Sequence, residues 1–200
     1  FLEAVGISIP KMMIGKAMTD ILKDKTKVKR EAAFIAMERH AGCREGGKGY
    51  PCRAIRTKEY LYIRNFDPDR WPAGSPERKH CVRHIRYGEV DPSPTKTVMM
   101  DEPKYAKLAD LAFGKRPANE LYSISNDPYQ LRNLADAVEF QKTRNLLRQQ
   151  LNDHLRKSGD PRLTGMPALW DYYPFYRAPK YPGWKVAPMP AEFQKADKVK

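Results

Sequence analysis

Four polar side chains are of types that can bind a ligand through hydrogen bonds and positive charge. We predict that His40, Arg39, Arg44 and Arg53 bind substrate. The first three follow an apolar run at 32–37, which predicts a buried strand, and lie in or beside a glycine-rich loop. Site residues are often presented where a strand ends and a loop begins. An imidazole can hydrogen-bond a hydroxyl or an anionic oxygen, and guanidinium groups add positive charge.

Two of these residues have an equally simple structural interpretation. His40 can cap the strand end by bonding to a backbone carbonyl. Arg53 lies in a predicted hairpin, where it can pair with Glu38 or Glu59 and contact no ligand. The sequence leaves both alternatives open.

The three cysteines, Cys43, Cys52 and Cys81, form no recognisable catalytic or metal-binding motif. At most one disulfide can form among them, which excludes a disulfide-rich scaffold. A nucleophilic cysteine needs both a base and an anion-stabilising environment, and the local sequence does not supply both. We expect Cys52 to be a small core residue. His80 and His84 have zinc-ligand spacing, but they lie among fixed positive charges, so we expect no metal there.

The chain is strongly basic, with 37 Lys and Arg against 24 Asp and Glu and a formal net charge of +13. A basic run at 78–86 could neutralise phosphates, but no helix-turn-helix, zinc finger or aromatic RNA-binding motif accompanies it. We expect a solvated basic loop, or one that meets a polyanionic substrate, rather than a DNA-reading element. No stretch approaches the roughly 18 apolar residues of a membrane span, so we expect no transmembrane segment in this chain.

The elements that must position these residues predict an α+β fold. Apolar runs and alternating patterns predict strands near 32–37, 52–56, 59–64 and 120–124, in a small antiparallel four-stranded sheet. A helix over 136–156 should pack across one face of that sheet. The side chains expected in the core are Leu147, Leu151 and Leu155 of the helix and Leu61 and Ile63 of the third strand.

The remaining segments contain many prolines. The stretch 67–119 holds seven of them and predicts a long irregular insertion with one helix, at 103–113. We divide the chain into one domain at 1–162 and a tail at 163–200. The tail's aromatic side chains should pack along the domain surface; they are Trp170, Tyr172, Tyr173, Phe175, Tyr176 and Trp184. The first six residues look like the last turns of a helix, so we expect the chain to be part of something longer.

Several segments resemble the C-terminal part of a type I sulfatase. Residues 1–15 are similar to the segment that follows the alkaline-phosphatase-like core of that family. Glu38-Arg39-His40 with the run over 49–63 is similar to the start of the family's C-terminal subdomain. Glu120-Leu121-Tyr122 with Asp127-Pro128 and Asn133-Leu134 resembles the run that precedes its last helix. The hairpin and residues 65–72 resemble bacterial members akin to heparan N-sulfatases, the N-sulfoglucosamine sulfohydrolases.

The resemblance implies a sulfatase that hydrolyses sulfate groups from a sulfated carbohydrate, located in the periplasm or secreted. It also implies a partner, the N-terminal catalytic domain, in which formylglycine and calcium are expected. Formylglycine forms from Cys or Ser within C/S-x-P-S/A-R, and none of the three cysteines lies in that context. We therefore expect no catalytic residue, cofactor or metal in this chain, which alone should be inactive. In related sulfatases a histidine in a similar position to His40 faces the substrate pocket.

A second class of function stays open from the sequence. The chain could be a non-catalytic module that uses its basic surface to hold an acidic polysaccharide or a nucleic acid. A C/S-x-P-S/A-R motif upstream in the same reading frame would distinguish the enzyme part from the binding module.

Overall fold

The computed structural model describes residues 1–13, 15–24, 30–81, 84–163, 169–173 and 188–191. The strands are β1 (Ala32–Met37), β2 (Cys52–Thr57), β3 (Tyr60–Asn65) and β4 (Asn119–Ser123). The α-helices are α1 (Thr19–Lys23), α2 (Pro94–Asp101), α3 (Ala106–Phe113) and α4 (Gln141–Lys157). The chain divides into two compact units, Phe1–Ala32 and Ala33–Lys200. Within the described residues, no helix is both long and apolar enough to cross a bilayer.

The first unit exposes most of its apolar side chains. A single 3-10 turn, Glu3–Val5, ends at Gly6, whose φ of 74° is the left-handed conformation that favours glycine. Helix α1 buries no residue. Phe1, Met12 and Leu22 are more than four-fifths exposed, at 107%, 88% and 81%.

The second unit is built on one four-stranded sheet with the order β1-β2-β3-β4, which confirms the predicted α+β fold. Strands β2 and β3 are antiparallel, as are β3 and β4. Pairing of Ala54 with Ile63 and of Leu61 with Tyr122 places these residues on one face. There Ala54, Leu61 and Tyr122 form a buried cluster, against which Ile63 packs.

Helix α4 covers the other face, where Ile55, Tyr62 and Leu121 are fully buried. It contacts β2 and β3, and the Arg64 guanidinium donates to the Asn152 side chain at 3.1 Å. The predicted burial of three helix leucines is confirmed, because each is at most 4% exposed: Leu147, Leu151 and Leu155. The helix begins at residue 141 rather than 136, after a 3-10 turn at Val138–Phe140.

Two predictions about individual elements are wrong. Strand β1 forms where expected, but it is an exposed edge strand rather than a buried one: Phe34, Ile35 and Met37 are 40%, 48% and 42% exposed. An apolar run indicates that a strand can be buried, but it does not indicate whether the fold places another surface over that strand. The stretch 67–119 contains helix α2 besides the predicted helix, since the Ser93 side chain caps it and Pro94 fits its first turn.

Candidate functional site

The loop between β1 and β2 holds an exposed histidine that is oriented by a carboxylate. The His40 Nδ1 atom lies 2.8 Å from the Glu89 Oε2 atom, and the His40 side chain is 80% exposed. A neutral imidazole that donates from Nδ1 to a carboxylate keeps the Nε2 lone pair available as an acceptor. His40 is therefore fixed at one nitrogen and presented to solvent at the other. Its partner is a carboxylate, not the backbone carbonyl of the capping alternative.

Arg44 is buried and belongs to the wall of the loop rather than to its surface. Its side chain is 6% exposed. It donates to the carbonyls of Trp71 and Pro72 at 2.6 and 2.7 Å, and to Glu89 at 2.9 Å. The Glu89 carboxylate thus lies between His40 and Arg44 and offsets the buried charge.

Arg53 lies in a buried ion network at the strand ends. All five of its N–H groups donate: to Glu38, to Asp160 twice, and to two backbone carbonyls, those of Met37 and Cys52. Arg162 contacts the same Glu38 carboxylate, so two arginines share it. Burial opposes the Arg53 charge, but the bonds to Asp160 and Glu38 outweigh it and raise its pKa. The pairing of Arg53 with Glu38 is the alternative that the sequence left open.

Arg39 joins the loop to the segment at 169–173. It donates to the Tyr173 carbonyl at 2.7 Å and to the Gly47 carbonyl at 3.2 Å. Burial lowers the pKa of Arg39, and the charge of nearby Asp171 opposes that shift. The Asp171 carboxylate also accepts from the Gly49 amide at 2.7 Å. Part of the predicted tail therefore packs on the domain; Phe175, Tyr176 and Trp184 lie outside the described residues.

A cleft of about 260 Å³ lies beside this loop, and both acidic and basic side chains line it. Its basic residues are Arg44, Lys48 and Arg70, and Trp71 supplies an aromatic face. An aromatic ring beside polar groups suits a sugar ring, but Glu45, Asp69 and Glu77 also line the cleft and balance its three basic residues, so the lining does not favour an anionic ligand. His40 is not among the residues that line it.

A second cleft of about 210 Å³ involves the basic run. Arg78, His84, Arg86 and Lys96 line it, whereas Arg83 lies outside the described residues. Lys96 is 3% exposed, and its ammonium donates to the carbonyls of Tyr87 and Val90. The buried Lys96 ammonium therefore adds to the positive charge of this cleft. Burial is the larger cause that lowers the pKa of Lys96, and the nearby charge of Arg86 helps to lower it.

The four predicted binding residues thus occupy three settings. His40 and Arg44 meet at Glu89, Arg53 lies in the ion network, and Arg39 holds the segment at 169–173. Glu89 is absent from the sequence prediction because 49 positions separate it from His40, and no local pattern connects them. Other residues that sequence reasoning missed are Asp160, Arg162 and Asp171, all beyond helix α4 or in the tail.

The described residues do not fit a metal ion. Among them, no group of three or more His, Cys, Asp or Glu side chains is placed to hold one. The Nε2 atom of His80 instead lies 3.5 Å from the Oε2 atom of Glu77.

The segment with Asp127-Pro128 and Asn133-Leu134, one of those that resemble type I sulfatases, has a structural role. The Asn133 side chain accepts from the Leu121 and Ala135 amides at 2.9 and 3.0 Å. Asp127 accepts from the Arg132 amide at 2.8 Å. These bonds fix the turn after β4, so the motif specifies the fold there.

Comparison with known proteins gives one clear sequence match. The chain is 28% identical to the ulvan-active sulfatase of Formosa agariphila over 126 residues, which is 60% of this chain and 20% of that protein. The matched part thus spans about a fifth of the curated relative. No family model matches the chain.

Two solved structures align with most of this chain and with a quarter of their own. One is BT4656 in complex with its substrate D-glucosamine-2-N,6-O-disulfate, with a TM-score of 0.47 and 17% identity over 80% of this chain and 24% of that one. The other is BT1596, a 2-O GAG sulfatase, with a TM-score of 0.46 and 15% identity over 82% and 24%.

Proposed function

We propose that this chain is the C-terminal, substrate-facing part of a sulfatase that hydrolyses sulfate groups from a sulfated carbohydrate. The observation that carries this proposal is the sequence match to the ulvan-active sulfatase. That match agrees with the segments that resemble type I sulfatases. Because the matched part spans about a fifth of the relative, we assign the activity to the whole protein and expect this chain alone to be inactive.

The exposed apolar side chains support a partner that is not in this chain. Single apolar side chains are common on protein surfaces, whereas a contiguous group of them marks an interface. Ile35 and Met37 alternate along strand β1 and therefore share one face of it, and they are 48% and 42% exposed. We propose the N-terminal catalytic domain of the sulfatase as the partner. Calcium and the formylglycine nucleophile belong to that domain, and formylglycine supplies the attacking oxygen.

Within this chain, His40 is the residue we assign to substrate contact. Its free Nε2 atom accepts from a sugar hydroxyl, or donates to a sulfate oxygen when the ring is protonated. Arg44 and Arg53 act as positioning residues, because their donors are used within the protein. Arg39 holds the loop to residues 169–173. Heparan N-sulfatase-like specificity, and a periplasmic or secreted location, are part of the same proposal.

The test begins with the reading frame upstream of Phe1, which should encode C/S-x-P-S/A-R. The full-length protein is then assayed for sulfate release from sulfated polysaccharides and from N-sulfated glucosamine. Replacing the motif's Cys or Ser by Ala should abolish release, while the 200-residue chain alone should give none. An upstream frame without the motif, or release by the chain alone, would overturn the proposal.

A second candidate is supported by the cleft around Arg78 and Arg86. As a non-catalytic module, the chain would hold an acidic polysaccharide there by charge. Binding of heparin without sulfate release by the full-length protein would favour this function, and a steep fall in affinity with added salt should accompany it.

A further inference from the structure

Two cysteine thiols share one buried site beneath the candidate loop. Cys43 is 0% exposed and Cys81 is 4% exposed, although 38 positions separate them. The Cys81 sulfur lies 3.3 Å from the Cys43 carbonyl oxygen and 3.5 Å from the Ser75 carbonyl oxygen. Three cysteines allow at most one disulfide, and the fold brings these two together.

The backbone around the pair leaves room for two sulfur atoms. A Cβ atom at Gly88 would lie 2.7 Å from the Cys43 sulfur and 3.4 Å from the Cys81 Cβ atom. A Cβ atom at Gly74, whose φ is 92°, would lie 2.9 Å from the Cys43 Cβ atom. Side chains at either glycine would therefore displace the pair. Among the described residues no third metal ligand joins the thiols, so the site does not have the composition of a metal centre.

The two thiols also differ in acidity in the folded protein. The bond from the Cys43 thiol lowers the pKa of Cys81 to about 6, because it favours the thiolate. The same bond raises the pKa of Cys43.

We propose that Cys43 and Cys81 form a structural disulfide in the mature protein, and that Cys52 remains a free thiol. The bridge covalently joins the loop that carries His40 to the segment that carries Glu89. It therefore holds the two partners of the candidate site together. This proposal does not depend on the substrate of the protein.

The oxidant is a disulfide, either of a protein thiol oxidase partner or of oxidised glutathione. The Cys81 thiolate attacks one sulfur of that disulfide and expels the other as a thiolate. The Cys43 sulfur, after losing its proton, attacks the Cys81 sulfur of the mixed disulfide and releases the second thiolate. Two cysteine S–H protons are lost, and two electrons reduce the oxidant to two thiols. Because both cysteines are buried in the folded protein, the exchange takes place during folding.

Peptide mapping tests the pairing directly. Trypsin places each cysteine in its own peptide: Cys43 in 40–44, Cys52 in 49–53 and Cys81 in 80–83. The full-length protein is exported to the periplasm of a bacterial host, purified without reductant, and alkylated with N-ethylmaleimide in denaturant. We expect peptides 40–44 and 80–83 to be cross-linked and peptide 49–53 to be alkylated. Alkylated Cys43 and Cys81, or a bridge that includes Cys52, would overturn the proposal.

A stability measurement tests the structural role of the bridge. Dithiothreitol should lower the Tm of the wild type and of Cys52→Ala by several degrees, since it releases a long closed loop. It should leave the Tm of the double variant Cys43→Ala/Cys81→Ala unchanged. If mapping shows that dithiothreitol has opened the bridge but the wild-type Tm is unchanged, the bridge does not hold the loop.

Discussion

The Nδ1 atom of His40 lies 2.8 Å from the Oε2 atom of Glu89, a residue 49 positions further along the chain. The other oxygen of the same carboxylate accepts from the buried guanidinium of Arg44 at 2.9 Å. One carboxylate therefore orients an exposed imidazole and offsets a buried positive charge. This division separates a residue available to a ligand from one committed to the fold.

Replacing His40 by Ala should reduce activity without unfolding the protein. In the full-length enzyme we expect kcat/KM to fall by about tenfold to a hundredfold, equivalent to about 1.4 to 2.7 kcal/mol of transition-state binding. The Tm should hardly change, because the His40 side chain is 80% exposed and Glu89 keeps its bond to Arg44. Steady-state kinetics and thermal melts measure the two effects.

Lys58→Ala is the control, since Lys58 is an exposed cation in the hairpin turn between β2 and β3. It should change neither quantity. A His40→Ala variant with unchanged kcat/KM and a lower Tm would assign His40 a structural role only.

Replacing Arg53 by Met should strongly destabilise the protein. Arg53 is 2% exposed, and its removal leaves the Asp160 carboxylate without its guanidinium partner. Removing one partner of a buried ion pair costs about 3–5 kcal/mol of folding free energy. Urea denaturation followed by circular dichroism measures the loss.

Arg56→Met is the matched control, because Arg56 lies on the same strand, β2, but is exposed. Its free energy of unfolding should stay within about 0.5 kcal/mol of the wild type. Equal losses for the two variants would show that the ion network around Arg53 contributes no specific stability.

The sequence predicted the elements whose patterns are local. Strands β2, β3 and β4 and helix α4 each follow from alternation or helical spacing within one short window. The exposure of β1 could not be predicted, since it depends on which surface covers Ile35 and Met37. The sequence does not predict helix α2, because Pro92 and Pro94 are typical of irregular chain, although Pro94 occupies the first turn of the helix, where proline fits.

The candidate site was predictable in its residue types but not in its contacts. His40 and Arg44 were found from their place after a strand, whereas Glu89 and Asp171 reach the loop through tertiary packing. The roles of the arginines were also decided by burial. A guanidinium suits an anionic ligand and a buried carboxylate equally well, and only the fold distinguishes them.

Truncation of Leu151 should weaken the packing of helix α4 on the sheet. Leu151 is 0% exposed, so Leu151→Ala should lower the free energy of unfolding by about 2–5 kcal/mol through lost burial and the cavity left behind. Leu146→Ala, on the same helix but 56% exposed, should cost less than about 1 kcal/mol. Chemical denaturation of both variants gives the comparison. Similar losses for the two would contradict the packing of α4 described above.

The Cys52 thiol should ionise at a higher pH in the folded protein than in the unfolded chain. Burial raises the pKa of Cys52 to about 11 from its ordinary 9.0, and the charge of neighbouring Arg53 opposes part of that shift. Alkylation by iodoacetamide requires the thiolate. Its rate in the folded protein, followed on the tryptic peptide 49–53, should therefore rise with a midpoint near pH 11. The unfolded protein, as control, should show a midpoint near pH 9.0.

The raised pKa of Cys52 also predicts how the free energy of unfolding changes with pH. A neutral thiol is favoured in the fold, so its contribution is fully present below pH 9.0 and is lost as the pH rises through about 11. Cys52→Ala lacks this group, and its free energy of unfolding should fall less than that of the wild type across that interval. Parallel pH profiles of the two proteins, or a folded-state alkylation midpoint near pH 9.0, would show that the Cys52 thiol is as well solvated in the fold as in the unfolded chain.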